Sequence, residues 1–377
     1  MSDDKGTETR ETFTEEIKRS VSSSGPATAR AEQEVKLTGK LHPLVDPAGY
    51  GLIRRSLPRF VECNNGLWRM AVGMPIPKED RIDTTGSMGG NVDVAISVLP
   101  DSYGLCSMVL PGCDLQMATG IFGDVQDPIV LCRPQFEMSA GKIVEQLTLQ
   151  VPCRDGGDTT EDPHYGLFGA AYLTASYAAR IGLKGYDFTV SDAPARDRLD
   201  EQQLKRIFGK EVFKKVKENG HNINRNDLPS TKEIVHDLLR ISHAFFLQVG
   251  NHNETTRFWI DIYGRDRVVY LPRTELLPYV QAAIIGLTEG VLGLSDVEDF
   301  LRQNNAGNRT AKEIVRSVAG IPIGAQAALP NFSRRPKAGD IFRNKTDLWP
   351  MSEEELEKIN IAIISKDEED DVESDWL

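Results

Sequence analysis

Asp83-Thr-Thr-Gly-Ser-Met88 carries three oxygen-bearing side chains at alternate positions, Asp83, Thr85 and Ser87. In a loop leaving a β-strand, that alternation turns all three toward one point. One carboxylate and two hydroxyls form a hard-oxygen donor set, suited to Mg²⁺ with its octahedral shell and, as alternatives, to Mn²⁺ or Ca²⁺. Gly86, Gly89 and Gly90 let the backbone approach the same point. A helix beginning just beyond them would aim its N-terminal amides there. An ordinary capped helix start would use the same residue types, so the motif alone leaves both readings open.

Three other acidic loops bear on the choice. Phe122-Gly-Asp124 closes one apolar run, and Val190-Ser-Asp-Ala-Pro194 closes another. Arg154-Asp-Gly-Gly-Asp-Thr-Thr-Glu-Asp162 precedes a stretch dense in Ala and Gly. In an open parallel sheet, ligands bind outside the carboxyl ends of the strands, and these loops lie at that edge. The elements needed to hold them there begin near residue 60, where short apolar runs alternate with helical periods. Strands are expected over 67–74, 115–122, 129–131, 186–190, 244–249 and 268–271. Helices are expected over 92–110, with a break or kink at Pro100, and over 139–147, 165–183, 230–241, 255–263 and 275–288. Ser230-Thr-Lys-Glu233 is a capping box. The run 67–74 does not lead straight into Asp83; PIPKEDRI intervenes, so either the first strand is interrupted by an insertion or the apolar run is not that strand.

Outside this pattern, residues 1–40 are polar and poor in aromatics and predict a flexible arm, with a short helix near Thr14. Residues 41–295 make up the α/β unit. Within it, 195–229 is longer than an ordinary crossover and carries a charged amphipathic helix, EQQLKRIFGKEVFKKVKE, which reads as a helical insertion on one rim. A second capping box, Ser295-Asp-Val-Glu298, opens a helix leading into a C-terminal helical and irregular extension, 296–350. Residues 351–377 read as a short helix and an acidic tail.

DTTGSM (83–88), FGD (122–124), GGDTTED (156–162) and SDAP (191–194) follow one another in an order and spacing that resemble the von Willebrand factor type A family. Within that family the motifs look most like the intracellular branch found beside alpha-type protein kinases. The resemblance covers roughly residues 60–292 and includes AFFLQVG (244–250) and RVVYLPRTELLPYVQAAI (267–284). It implies a doubly wound, mostly parallel, Rossmann-like α/β sheet, here with a helical insertion and flexible termini, and a metal-ion-dependent adhesion site. By resemblance, Asp83, Thr85 and Ser87 form the first ligand loop. Asp158, or a hydroxyl of Thr159 or Thr160, fills the second, and Asp192 supplies the third through water. Asp124 would stand behind the ligands or be a plain loop-end carboxylate.

The formal net charge of −12 argues against general affinity for nucleic acid or anionic membranes. No run of about 18 apolar residues occurs, so no membrane span is expected. The opening MSDDKGTETRET has no apolar core and predicts no signal peptide. Five cysteines without a C-x-x-C predict reduced thiols in a cytoplasmic protein, with Cys153 structural. His236 and His243 could share a helix face as core or boundary residues, and His164 is expected at a surface helix start.

These features predict a protein-interaction module of scaffold or adaptor type. An ion held by Asp83, Thr85, Ser87 and Asp192 would leave one coordination position for a partner's Asp or Glu. Phosphate-loop, serine-hydrolase, zincin and kinase motifs are absent from the sequence. A metal-dependent hydrolase or phosphoryl-transfer enzyme using the same carboxylates is the alternative. A structural subunit with a degenerate site is another. The end of the tail, Trp376-Leu377, could anchor a partner or simply follow a solvating run.

Overall fold

The computed structural model describes residues 29–49, 51–52, 59–72, 74–110, 113–154, 159–176, 178–328 and 331–336. The helix expected near Thr14 and the acidic tail lie outside them, as does Asp158. The first described element is helix α1 (Ala29–Thr38), within the stretch expected to be a flexible arm; its Ala31 is buried in the main core. Then come β1 (Gly51–Leu52), β2 (Arg59–Glu62), β3 (Trp68–Val72), β4 (Met74–Asp83), α2 (Asn91–Ser107), β5 (Cys113–Phe122), β6 (Leu131–Cys132) and α3 (Ala140–Thr148). The middle of the chain forms α4 (Pro163–Tyr172), β7 (Thr174–Ala175), β8 (Gly185–Ser191), α5 (Glu201–Phe208), α6 (Val212–Glu218) and α7 (Thr231–Leu238). The remainder forms β9 (Ser242–Val249), α8 (Asn253–Tyr263), β10 (Val268–Leu271), α9 (Leu277–Glu289), α10 (Leu294–Gln303), α11 (Asn308–Val318) and β11 (Asn331–Phe332).

Six strands build the central sheet in the order β10-β9-β8-β4-β5-β6. Neighbours are parallel except for β5 and β6 at one edge. Counted within this sheet alone, the order is the doubly wound one, and its topological switch point falls between β4 and β8. Side chains alternate across it: Phe188, Val190, Phe245 and Leu247 join a core with α2, α9, α10 and α11, while Ala244 and Phe246 join a second core with α4 to α8. Separately, β11, β3 and β2 form a small antiparallel sheet, and β1 pairs with β7.

The first strand follows the second of the two readings. The run 67–74 contributes β3 to the small sheet, not the strand that carries Asp83. That strand is MPIPKEDRID itself, ten residues buried from end to end. No interruption separates it from Asp83. Pairing with β8 begins only at Lys78. Pro75 and Pro77 therefore lie where the strand has a neighbour on the β5 side alone, which tolerates a missing N–H.

Four consecutive charges can occupy the middle of a buried strand because each finds a partner. Lys78 Nζ donates to both Asp80 oxygens, at 2.7 and 2.6 Å. Gln281 of α9 donates to Asp80 Oδ1 at 2.8 Å and accepts from Ser102 of α2 at 2.5 Å. On the other face, Arg133 grips Glu79 with two bonds of 2.7 and 2.9 Å, and Arg81 pairs with Glu79 and with Asp187 of β8. Burial works to raise the Glu79 carboxyl, but Arg133 and Arg81 outweigh it and hold the group below its usual range. Helix α4 is rich in small residues because the arginine stems lie against it. A methyl group at Gly166 would run into Arg81 Cδ, and one at Gly169 would sit 3.2 Å from Arg133 Cδ.

Other boundaries shift for local reasons. The expected helix 165–183 stops at Tyr172, and the helix of the insertion splits into α5 and α6 at Gly209, whose φ of 86° lies in the left-handed region. Leu204, Phe208, Val212 and Phe213 pack into the core beneath α4 and α7, so this segment belongs to the second helical layer and not to a rim appendage. The Ser230 capping box forms, with Glu233 Oε2 accepting from Ser230 N at 2.8 Å and Ser230 Oγ from Glu233 N at 3.3 Å. The one expected at Ser295 does not: α10 begins at Leu294, and Asp296 accepts from Gly293 N at 2.8 Å. Pro100 lies inside a continuous α2. Among the described residues, no helix is long and apolar enough to cross a membrane.

Candidate metal centre at the switch point

Asp83 ends β4 and Ser191 ends β8, on neighbouring parallel strands, so their loops open side by side at the switch point. Asp83 is fully buried. Its Oδ1 accepts from Thr85 N at 2.9 Å and from Thr85 Oγ1 at 2.7 Å, and its Oδ2 accepts from Ser191 Oγ at 2.5 Å. Ser87 Oγ donates to Asp192 Oδ1 at 2.8 Å and lies 3.4 Å from Thr85 Oγ1. Asp83, Thr85, Ser87 and Asp192 are thus brought together. A short turn, Gly86–Met88, closes the motif, and α2 begins at Asn91, one residue ahead of the expected start at 92.

The second loop contributes differently. Residues 155–158 are outside the described part of the chain, Thr159 is exposed and Thr160 is half-buried. Arg154 N donates to Thr84 O at 2.8 Å, and its guanidinium holds Asp93 at 2.7 and 3.0 Å, which fastens the second loop to the first. Glu161 was not anticipated. It is buried, its N donates to Pro194 O at 2.9 Å, and its carbonyl accepts from Arg196 N at 3.0 Å, joining the second loop to the third.

Asp124 is held from the third loop. Arg196 donates to Asp124 Oδ2 at 2.8 Å and to Asp162 Oδ2 at 2.5 Å, so one guanidinium ties three loop ends together. Sequence reasoning missed Arg196 because it fell in the segment read as an insertion. The signal available was a cation two residues beyond SDAP, at a rim otherwise made of acids.

Burial raises the carboxylates here. It pushes Asp83 up to about 6, and it pushes Glu161, with Asp83 beside it, up to about 8. Asp162 rises to about 6 by burial despite Arg196. Folded carboxyls with raised pKa bind protons that the unfolded chain has released, so native stability falls as pH rises toward the folded values. Buried His164 and His243, lowered to about 3 and about 4 by desolvation, act oppositely, but only below their ordinary value of 6.5. Between pH 6.5 and about 8, Glu161 therefore dominates. The metal-free chain is expected to lose stability across that window, by at most about 1.4 kcal/mol per pH unit for one group. Urea midpoints at pH 6.5 and 8 measure this, and a rising midpoint contradicts it.

Donor chemistry fits a hard dication. Every group facing the switch point offers oxygen, and Glu161 Oε2 is buried without a hydrogen-bond partner among the described residues. Among those residues, no three His, Cys, Asp or Glu side chains converge at ligand geometry. The described donors are instead a carboxylate–hydroxyl set, and the second loop's Asp158 lies outside them. His164 is enclosed in the core, His236 is exposed on α7, and His243 lies in β9, so His236 and His243 share no helix face. All five cysteines are free, and Cys153 Sγ donates to Ile129 O at 2.8 Å while burial raises its pKa.

The fold and site define a doubly wound α/β protein with an acid–hydroxyl rim at its switch point. No family model matches the sequence, and no curated protein is significantly similar to it. Among solved structures, the chain is similar to the pilus adhesin SpaC from Lactobacillus rhamnosus GG in two crystal structures, one of an open conformation. Identity is 11% and 10%, with TM-scores of 0.28 and 0.29 over 61% and 64% of this chain. It spans about a third of the adhesin, 34% of that chain. A likeness of this size carries no argument about function, and the architecture rests on the sheet itself.

Proposed function

We propose that the chain is a von Willebrand factor type A-like, divalent-metal-dependent interaction module of scaffold or adaptor type. The supporting observation is the cross-bonded rim, where Asp83 is fixed by Ser191 and Thr85 while Ser87 reaches Asp192. Asp83, Thr85, Ser87 and Asp192 would hold Mg²⁺, or alternatively Mn²⁺ or Ca²⁺, with Asp158 or Thr159 contributing from the second loop. A bound ion supplies a hard electrophilic position that a partner's Asp or Glu can fill. The hydroxyls of Thr85 and Ser87 now donate to carboxylates, and their lone pairs remain free to face an ion.

Calorimetric titration with Mg²⁺ and Mn²⁺, followed by capture of protein partners on the immobilised chain with Mg²⁺ or with chelator, tests the reading. Saturable ion binding and chelator-sensitive capture are expected. Capture indifferent to chelator would overturn the role of the ion in recognition, and absence of ion binding would overturn the site.

A further inference from the structure

We infer that Glu161 is a further ligand of the ion, so that the chain's own buried carboxylates neutralise a dication before any partner arrives; this rests on the metal-binding reading above. Three observations carry the inference. Glu161 is 2% exposed, and Oε2 has no hydrogen-bond partner among the described residues. Its backbone is clamped on both sides to the third loop, through Pro194 O and Arg196 N, so the side chain cannot drift out to water without unzipping two loops. Its polar surroundings are Thr85, Asp83, Asp124 and Asp162.

The nearby cation does not meet the need. Arg196 directs one terminal nitrogen to Asp162 and the other to Asp124. Glu161 and Asp83 are left as two buried carboxylates with only hydroxyl and amide donors around them. With both groups ionised such an arrangement is strongly disfavoured, and either a proton on Glu161 or a cation between the two relieves it. Asp83 and Glu161 alone would neutralise a dication, and Asp192 at the rim would leave the site with an excess negative charge. Ion retention then does not depend on a partner, and the pull on an incoming acidic side chain is weaker than at a site with a single buried carboxylate.

Titration of Mn²⁺ into the full chain decides the matter, comparing the unaltered protein with Glu161→Gln and, as reference, Asp83→Asn. Glutamine keeps the shape and removes the charge. Mn²⁺ affinity is expected to fall at least about tenfold, while at alkaline pH, where Glu161 is ionised, the melting temperature of the metal-free chain rises because an unpaired buried charge has gone. A glutamate with a merely structural role would lower both. Unchanged Mn²⁺ affinity in Glu161→Gln, with binding lost in Asp83→Asn, overturns this inference and leaves the metal site standing. No Mn²⁺ binding by the unaltered chain overturns both. Should Glu161→Gln not fold, Glu161→Asp keeps the charge and shortens the arm. Weaker Mn²⁺ binding is then expected, and equal binding overturns the assignment.

Discussion

Replacing Arg81 by methionine is expected to lower folding stability by about 3–5 kcal/mol, the range for removing one partner of a buried ion pair. Arg81 is buried among Glu79, Asp187 and the glycine face of α4. Glu79 keeps Arg133, so most of the penalty falls on Asp187, whose carboxyl burial already pushes up to about 6 despite Arg81. A loss of this size is a large fraction of the roughly 5–15 kcal/mol that holds a domain folded. Urea unfolding followed by circular dichroism measures it, and a loss under about 1 kcal/mol would contradict the pairing. Changing Asp187 to leucine in the same chain should recover part of the loss, because the stranded charge is then gone.

Asp83→Asn is the second large effect. Asp83 is the buried carboxylate that ends β4, and it is met by Thr85 and Ser191. Its removal is expected to reduce Mg²⁺ affinity at least about a hundredfold, close to 2.7 kcal/mol of binding free energy. The metal-free variant should melt at a higher temperature than the unaltered chain, since burial holds Asp83 near 6 and its charge is a burden without an ion. The two shifts have opposite sign, which separates loss of a ligand from loss of fold. Equal Mg²⁺ affinity in both proteins would remove Asp83 from the site.

Local chemistry made part of this molecule readable from its residues. Asp83, Thr85 and Ser87 lie within five positions of one another, and SDAP closes an apolar run, so their meeting needed only a parallel sheet. Strands β5, β8, β9 and β10 announced themselves by short runs that are mostly apolar. Strand β4 did not, because PIPKEDRI has the composition of a loop. Its burial depends on Arg133, Asp187 and Gln281, which lie far along the chain. Pairings of that kind leave no periodicity behind. Glu161 and Arg196 escaped notice for the same reason, since each matters through what the fold sets beside it.

The charged centre of β4 also has a bearing on alignment. A strand buried on both faces has no polar side to fix how far along its neighbours it sits, and a slide of two residues would return every side chain to its own face. Such a slide would carry Glu79 about 7 Å from Arg133, and Asp80 as far from Gln281. Both contacts would be lost at once, in a place where neither group can turn to water. The same displacement would move Asp83 off Ser191 by a full step. The ion pairs in the middle of the sheet therefore serve as index marks for its upper edge, and the height at which Asp83 meets the rim is set by charges that never touch it.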